Sequence, residues 1–362
     1  MNKTQEIITS REQVTPEWLS NTLALADIRA TVKTLEVTPI VAGYYGSSSR
    51  LVVTYEEDDD ALPRSFFLKM ATEHLSARTK AALSGMYRYE VGFYQQLADR
   101  VNISTPRCYA AEITDDHSAF ILLLEDAAPL TQPDQLQGLS LDQSKLAIQE
   151  LAGLHASTWQ GNNMEDCDWA VMNSAYANGL AESMVTTHPL FMERFGDQIS
   201  EQNCDILQCI VNKITSYWSY LLSCKNQAST HCDFRADNML FGRRNGALAM
   251  IAIDWVGTLS GTGRDLGHFI GTSLLPGHRR VHEIELLELY HSTLIAQGVA
   301  DFSLSECIDD YRINLIYPIF VVVTSAASVD LDQRGMKLFL SMFDRSCQAI
   351  KDSNAMDVIT EL

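Results

Sequence analysis

His231-Cys232-Asp233-Phe234-Arg235-Ala236-Asp237-Asn238-Met239-Leu240-Phe241 decides how this chain is read. The stretch sets Asp233 and Asn238 five residues apart in a polar segment that runs straight into an apolar one. A second apolar run, Met250-Ile251-Ala252-Ile253, ends in a further acid, Asp254. An Asp and an Asn ahead of a strand often do no more than shape a turn. The full set of His, Asp, Asn, apolar run, second strand and second Asp is much more specific. It offers a carboxylate, Asp233, to orient a hydroxyl, and two hard oxygen ligands, Asn238 and Asp254, for a divalent cation. Phosphoryl transfer asks for little else: a positioned nucleophile, metal ions on the phosphates and neutralised charge.

Protein kinases arrange their catalytic loop in this way, with Asp as base and Asn holding Mg²⁺. The upstream half supplies charge neutralisation. Phe66-Phe67-Leu68-Lys69-Met70 is a strand-like apolar run with one lysine inside it, an expensive place for a charge without a partner. From Lys80 to Ala98, residues Leu83, Tyr87, Glu90, Phe93 and Leu97 recur at helical spacing. Glu90 on that apolar stripe is the natural partner for Lys69, and the two match the strand-lysine and helix-glutamate pair that holds nucleotide phosphates. Before them, the small-residue turns of Val41 to Arg50, flanked by Leu35-Glu36-Val37 and Leu51-Val52-Val53, read as a strand, turn, strand hairpin. Backbone N–H groups around Gly43, Gly46, Ser47 and Ser48 are placed to cradle phosphates, although most such hairpins are only hairpins. The G-x-x-x-x-G-K-[ST] and G-x-G-x-x-G patterns are missing, which disfavours a P-loop or Rossmann reading. Phe120-Ile121-Leu122-Leu123-Leu124 is a further apolar strand, and Glu125 and Asp126 at its end fall where kinases place the adenine-contacting hinge, or else simply open a solvated loop.

The order of these parts resembles the aminoglycoside phosphotransferase and choline kinase superfamily, most closely its ecdysteroid-kinase-like branch. The residues that carry the resemblance are Gly43 to Arg50, Leu62-Pro63 with Leu68-Lys69, Glu90 to Tyr94, Leu123 to Asp126, Leu151 to Trp159, His231 to Phe241, Ile253-Asp254-Trp255 and Arg264-Asp265-Leu266. They span roughly positions 30 to 350. The resemblance implies an α+β, two-lobed, protein-kinase-like fold. Its small β-rich N-lobe, residues 1–125, would carry one long helix and bind the nucleotide. The larger, mostly helical C-lobe, residues 126–362, would hold the catalytic and acceptor sites. It also implies that Asp265 braces the catalytic loop. Two departures stand out: Cys232 occupies a position where relatives carry Gly, and Val256 one where they often carry Gln or Glu. His155, inside an apolar helix, reads as a satisfied core histidine.

Composition agrees. With 362 residues, 46% hydrophobic and 20% charged, the chain can build a large core. A net charge of −19 without a Lys/Arg block argues against nucleic acid as a partner. No apolar run is long enough to span a bilayer. The eight Cys form no C-x-x-C pair, and no signal-peptide pattern opens the chain, so a reducing cytoplasm is expected. Glu56 to Asp60 reads as a solvated hairpin tip.

The expected activity is therefore transfer of the γ-phosphoryl group of ATP, with Mg²⁺, to a hydroxyl of a small molecule. Asp233 would orient or deprotonate that hydroxyl, with His231 supporting the loop. The alternatives are a nucleotide-binding module without turnover and, less favoured for want of an A-P-E segment, a protein kinase. Acceptor identity and oligomeric state are not written in the sequence.

Overall fold

The computed structural model describes residues 7–40, 46–57, 59–326 and 331–362. The chain divides into two compact units, Met1–Arg100 with Thr105–Pro129, and Val101–Ser104 with Leu130–Leu362. Among the described residues no helix is long and apolar enough to cross a membrane.

The first unit is a five-stranded antiparallel sheet with helices on it. In chain order it contains α1 (Pro16–Leu25), β1 (Val32–Ile40), β2 (Gly46–Tyr55), β3 (Ser65–Ala71), α2 (Leu75–Leu83), α3 (Met86–Gly92), β4 (Cys108–Ile113) and β5 (Phe120–Glu125). Strand order is β1-β2-β3-β5-β4. β3 is a middle strand, and its alternation is that of a two-faced element. Phe66, Leu68 and Met70 are buried in a core with Trp18, Leu19 and Leu23 of α1 and Leu51 and Val53 of β2. Lys69 falls on the opposite face, in register with Ser48 of β2 and Leu122 of β5.

The one long helix expected across Lys80–Ala98 is interrupted. α2 stops at Leu83, and Gly85 adopts φ +70° with its N–H on the Ala82 carbonyl. That is the left-handed exit glycine allows at a helix C-terminus. α3 restarts at Met86 and runs into a π-helical turn, Phe93–Leu97. Leu83, counted on the apolar stripe, is 84% exposed, whereas Tyr87, Glu90, Phe93 and Leu97 are buried.

The second unit is mostly helical: α4 (Leu141–Ser157), α5 (Ser174–Phe195), α6 (Glu201–Ser223), α7 (Gly263–Ser273), α8 (Pro276–Ala296), α9 (Leu304–Asn314), α10 (Ile316–Ala326), α11 (Gln333–Asp352) and α12 (Met356–Ile359). Two small antiparallel pairs lie within it. β6 (Gln227–Thr230) pairs with β9 (Thr258–Gly261), and β7 (Met239–Arg244) pairs with β8 (Ala247–Ala252). The family of contacts that fixes the functional loop centres on α7, all eleven residues of which are buried. Its N-terminus is satisfied from α9, where Asp310 accepts the Gly263 N–H at 2.7 Å. Gly267 lets the two helices touch: a Cβ there would stand 2.4 Å from the Asn314 carbonyl oxygen. Gly267→Ala is therefore expected to destabilise the protein by about 1–3 kcal/mol through overpacking, read as a lower urea midpoint. An unchanged midpoint would mean that α7 and α9 are not in such close contact.

Candidate active site

The segment after β6 is held by a single buried carboxylate. Asp265, in the first turn of α7, accepts the backbone N–H of His231 at 2.6 Å and of Cys232 at 2.9 Å. His155 of α4 reaches the same carboxylate with Nε2 at 3.3 Å, while its Nδ1 meets the Tyr290 hydroxyl at 2.7 Å. Burial works to raise the Asp265 pKa, yet these donors leave it below the ordinary carboxylate value. His155 is the bonded core histidine its apolar helix suggested.

Cys232 takes φ +68°, a left-handed conformation that costs a residue with a Cβ roughly 1–2 kcal/mol. This is the physical reason glycine suits the position. Both backbone groups of Cys232 are engaged, since the Tyr317 hydroxyl donates to its carbonyl at 2.6 Å. Arg264 supports the same turn by donating to Tyr317 Oη at 3.1 Å and Thr258 Oγ1 at 3.0 Å.

His231 ties the loop to the segment that follows β8. Its Nε2 lies 2.9 Å from the Ile253 carbonyl, and the Asp233 N–H donates to its Nδ1 at 3.3 Å. The two contacts together assign a neutral imidazole with the proton on Nε2. Burial lowers the pKa of the ring and favours the same form. Its face packs on Trp255 at 4.5 Å.

Asp233 is partly open to solvent and has a partner on each oxygen. Asn238 Nδ2 donates to Oδ2 at 2.6 Å, and Arg235 Nε donates to Oδ1 at 3.0 Å. Enclosure works to raise the Asp233 pKa, but the Arg235 charge and the Asn238 hydrogen bond leave it lowered. Arg235 is itself clamped, by Asp237 Oδ2 and Gln135 Oε1 at 3.0 Å each. Gln132 also donates to the Asp237 carbonyl.

Asp254 joins this cluster through its neighbour. The Ile253 N–H donates to the Asn238 carbonyl at 3.0 Å, and Asp254 follows exposed, at φ +62°. Asn238 spends its amide nitrogen on Asp233, leaving the hard Oδ1 oxygen for another ligand. Among the described residues no three His, Cys, Asp or Glu side chains gather into an all-protein metal cage. Asn238 and Asp254 are oxygen donors of the kind used by an ion such as Mg²⁺, which takes one or two protein oxygens and completes its shell with water and phosphate.

In the first unit, Lys69 Nζ lies 2.7 Å from Glu90 Oε2 and 2.9 Å from Oε1, with both side chains largely buried. The small-residue segment is placed differently from a turn. Gly46, Ser47 and Ser48 begin β2, and the Ser47 hydroxyl accepts from Arg11 Nη2 at 2.6 Å. Gly43 lies outside the described residues. Glu125 ends β5 and accepts the Arg107 N–H at 3.2 Å, while Asp126 pairs with Arg50 Nε at 2.9 Å. The two acids are thus engaged within their own unit.

The ecdysteroid kinase-like family model matches residues 41–298, well over half of the chain. Among solved structures, the fold is similar to that of a Ralstonia eutropha protein provisionally assigned as an aminoglycoside phosphotransferase. That match has a TM-score of 0.55 and 12% identity over 89% of this chain and 93% of the other. It is similar too to choline kinase from Cryptosporidium parvum, with a TM-score of 0.52 and 13% identity over 89% and 91% of the two chains. No curated protein matches the sequence. These likenesses show a mixed α+β, kinase-like fold, with a β-sheet N-terminal region and a helical C-terminal part.

Arg235, Asp237, Gln135, Arg264 and Tyr317 had no part in the sequence-based site. Arg235 and Asp237 stood in plain view inside the decisive stretch. Gln135 and Tyr317 reach it from 100 and 85 residues away. Lys69 and Glu90 are expected to behave as a coupled pair, because removing one partner of a buried ion pair costs roughly 3–5 kcal/mol. Lys69→Met and Glu90→Ala should each lower stability, and the double variant should be much less impaired than their sum. Strict additivity in a chemical-denaturation cycle would dissolve the pairing.

Proposed function

Because the chain belongs to the ecdysteroid kinase-like family, we propose that it is a small-molecule kinase, transferring the γ-phosphoryl group of ATP to a hydroxyl of its acceptor. The observation that carries this reading is the Asp233–Asn238 pair, joined at 2.6 Å and set beside Asp254 by the Ile253–Asn238 backbone bond. Asp233 orients the acceptor hydroxyl by accepting its hydrogen bond. A carboxylate whose proton affinity is lowered by Arg235 is better suited to orientation, with proton transfer late, than to full deprotonation. That matches a loose transition state in which the incoming oxygen develops little bonding. Lys69, braced by Glu90, would contact the α- and β-phosphates, and the backbone at Gly46 and Ser47 would cover them. His231 holds the loop in register. Asn238 and Asp254 would hold Mg²⁺, which when bound would neutralise phosphate charge.

Two observations favour this over its alternatives. Only residues 255–262 separate Asp254 from α7, too short a link for the activation segment of a protein kinase. A module without turnover was suggested by Cys232 and Val256. Cys232 nevertheless accepts the left-handed turn with its backbone satisfied. Val256 serves the loop through its N–H, which donates to the His231 carbonyl at 3.4 Å.

Asp233→Asn is expected to lower phosphoryl transfer roughly 10²–10⁴-fold while ATP binding by calorimetry stays close to wild type. ATP consumption across a panel of hydroxylated metabolites is the assay, and near wild-type turnover would remove Asp233 from the mechanism. Asp254→Ala should weaken Mg-ATP binding more than binding of metal-free nucleotide. Equal losses with and without Mg²⁺ would argue against metal ligation.

A further inference from the structure

His268 lies on α7 one turn beyond Asp265, so both side chains face the functional loop. Its ring is completely buried, and among the described residues neither nitrogen has a close hydrogen-bond partner, the Cys232 carbonyl facing it only as a longer-range acceptor. A buried polar ring in that state is costly, and a site that only needed volume would be filled by Leu or Phe. Nε2 stands 3.7 Å from Asp233 Oδ1, just beyond hydrogen-bonding distance. The other groups facing the ring are the Arg235 guanidinium and the Cys232 carbonyl from the loop, Asp265 on its own helix and Tyr317 of α10, whose ring meets it edge-on at 5.5 Å.

We propose that His268 is a positioning residue for Asp233, an Nε2–H donor that closes onto Oδ1 when nucleotide and acceptor hydroxyl are in place. This rests on the role assigned to Asp233 above. Hydrogen bonds of a catalytic group are commonly long without substrate and tighten when it binds. The closing partner is Asp233, because its loop side chain is 27% exposed whereas α7 is enclosed along its whole length. Arg235 already holds the same oxygen, but from within the loop, and relies on Asp237 and Gln135 for its own place. His268 instead anchors the carboxylate to a rigid helix. Burial lowers its pKa to about 4. The ring is therefore neutral near pH 7 and donates without adding a second full charge beside a carboxylate that Arg235 has already made less basic.

The test uses the whole chain and follows hydrolysis of Mg-ATP, with water as acceptor and Asp233→Asn as reference. His268→Phe keeps the ring volume and removes the donor. His268→Gln places an amide N–H near the position of Nε2. The phenylalanine variant is expected to lose roughly 10- to 100-fold in kcat with KM for ATP unchanged, and the glutamine variant to recover most of it. Wild-type kcat in His268→Phe, or equal losses in both variants, overturns the positioning role alone. An Asp233→Asn protein that hydrolyses ATP like wild type overturns the catalytic reading and the positioning role with it. Should His268→Phe fail to fold, ¹⁵N spectra of the histidine rings decide. With a non-hydrolysable Mg-ATP analogue bound, the His268 Nε2 resonance should shift on Asp233→Asn substitution, and an unmoved resonance rejects the contact.

Discussion

One buried carboxylate organises this protein. Asp265 accepts two consecutive backbone N–H groups, of His231 and Cys232, at the point where β6 ends and the functional loop begins. Without them the loop would have to bury unpaired amides, a cost of about 1–3 kcal/mol each. With them, Cys232 is turned into the left-handed region and His231 is aimed at the Ile253 carbonyl. That second contact draws the end of β8 alongside the loop, and Asp254 comes with it. The placement of Asp233, Asn238 and Asp254 therefore depends on a carboxylate that lies beyond all three in the chain.

The charges around that carboxylate follow the same economy. The chain carries 46 acidic and 27 basic side chains, yet the cations near the loop have narrow tasks. Arg235 is spread over Asp233, Asp237 and Gln135. Arg264, also buried, lies over the Tyr317 ring at 4.3 Å and the Trp218 ring at 5.3 Å, with no carboxylate within ion-pair distance among the described residues. Aromatic faces take the place of a counter-ion there, and the guanidinium in turn fixes the Tyr317 hydroxyl on Cys232. Arg345 of α11 uses its donors on backbone carbonyls, reaching Gln135 and Thr272 at 2.8 and 2.9 Å. It thereby joins the segment that holds Arg235 to the helix that holds the loop.

Much of this arrangement could be read from the sequence, and the rest was hidden for physical reasons. His231, Asp233 and Asn238 lie within one short stretch, and Asp254 follows one strand pair later, so local spacing was enough to group them. Lys69 and Glu90 were each uncomfortable where they stood, and that discomfort pointed from one to the other. Spacing alone could not show that Ser84-Gly85 ends one helix and starts another, because the apolar spacing in the sequence runs unbroken across Gly85, even though the left-handed exit there leaves Leu83 exposed. Nor could it show Ser47 and Ser48 in a strand instead of a turn. Gln135, Tyr317 and Arg345 act across long sequence separations, through a side-chain amide oxygen or through donors aimed at backbone carbonyls, and such partners leave no periodic trace.

Arg345 and Tyr317 also set an order of events during synthesis. The decisive stretch leaves the ribosome about 80 residues before Tyr317 and a little over 100 before Arg345. Until α9, α10 and α11 exist, Gly263 at the head of α7 lacks Asp310, the Cys232 carbonyl lacks its hydroxyl donor, and the Gln135 segment has no guanidinium on its carbonyls. A nascent or prematurely terminated chain thus bears every signature residue of the loop without the helices that give the loop its shape. The five-stranded sheet is different, since all its strands are complete by Glu125. The polypeptide can finish its sheet long before it can finish its loop, and the last third of the chain decides when the signature becomes a site.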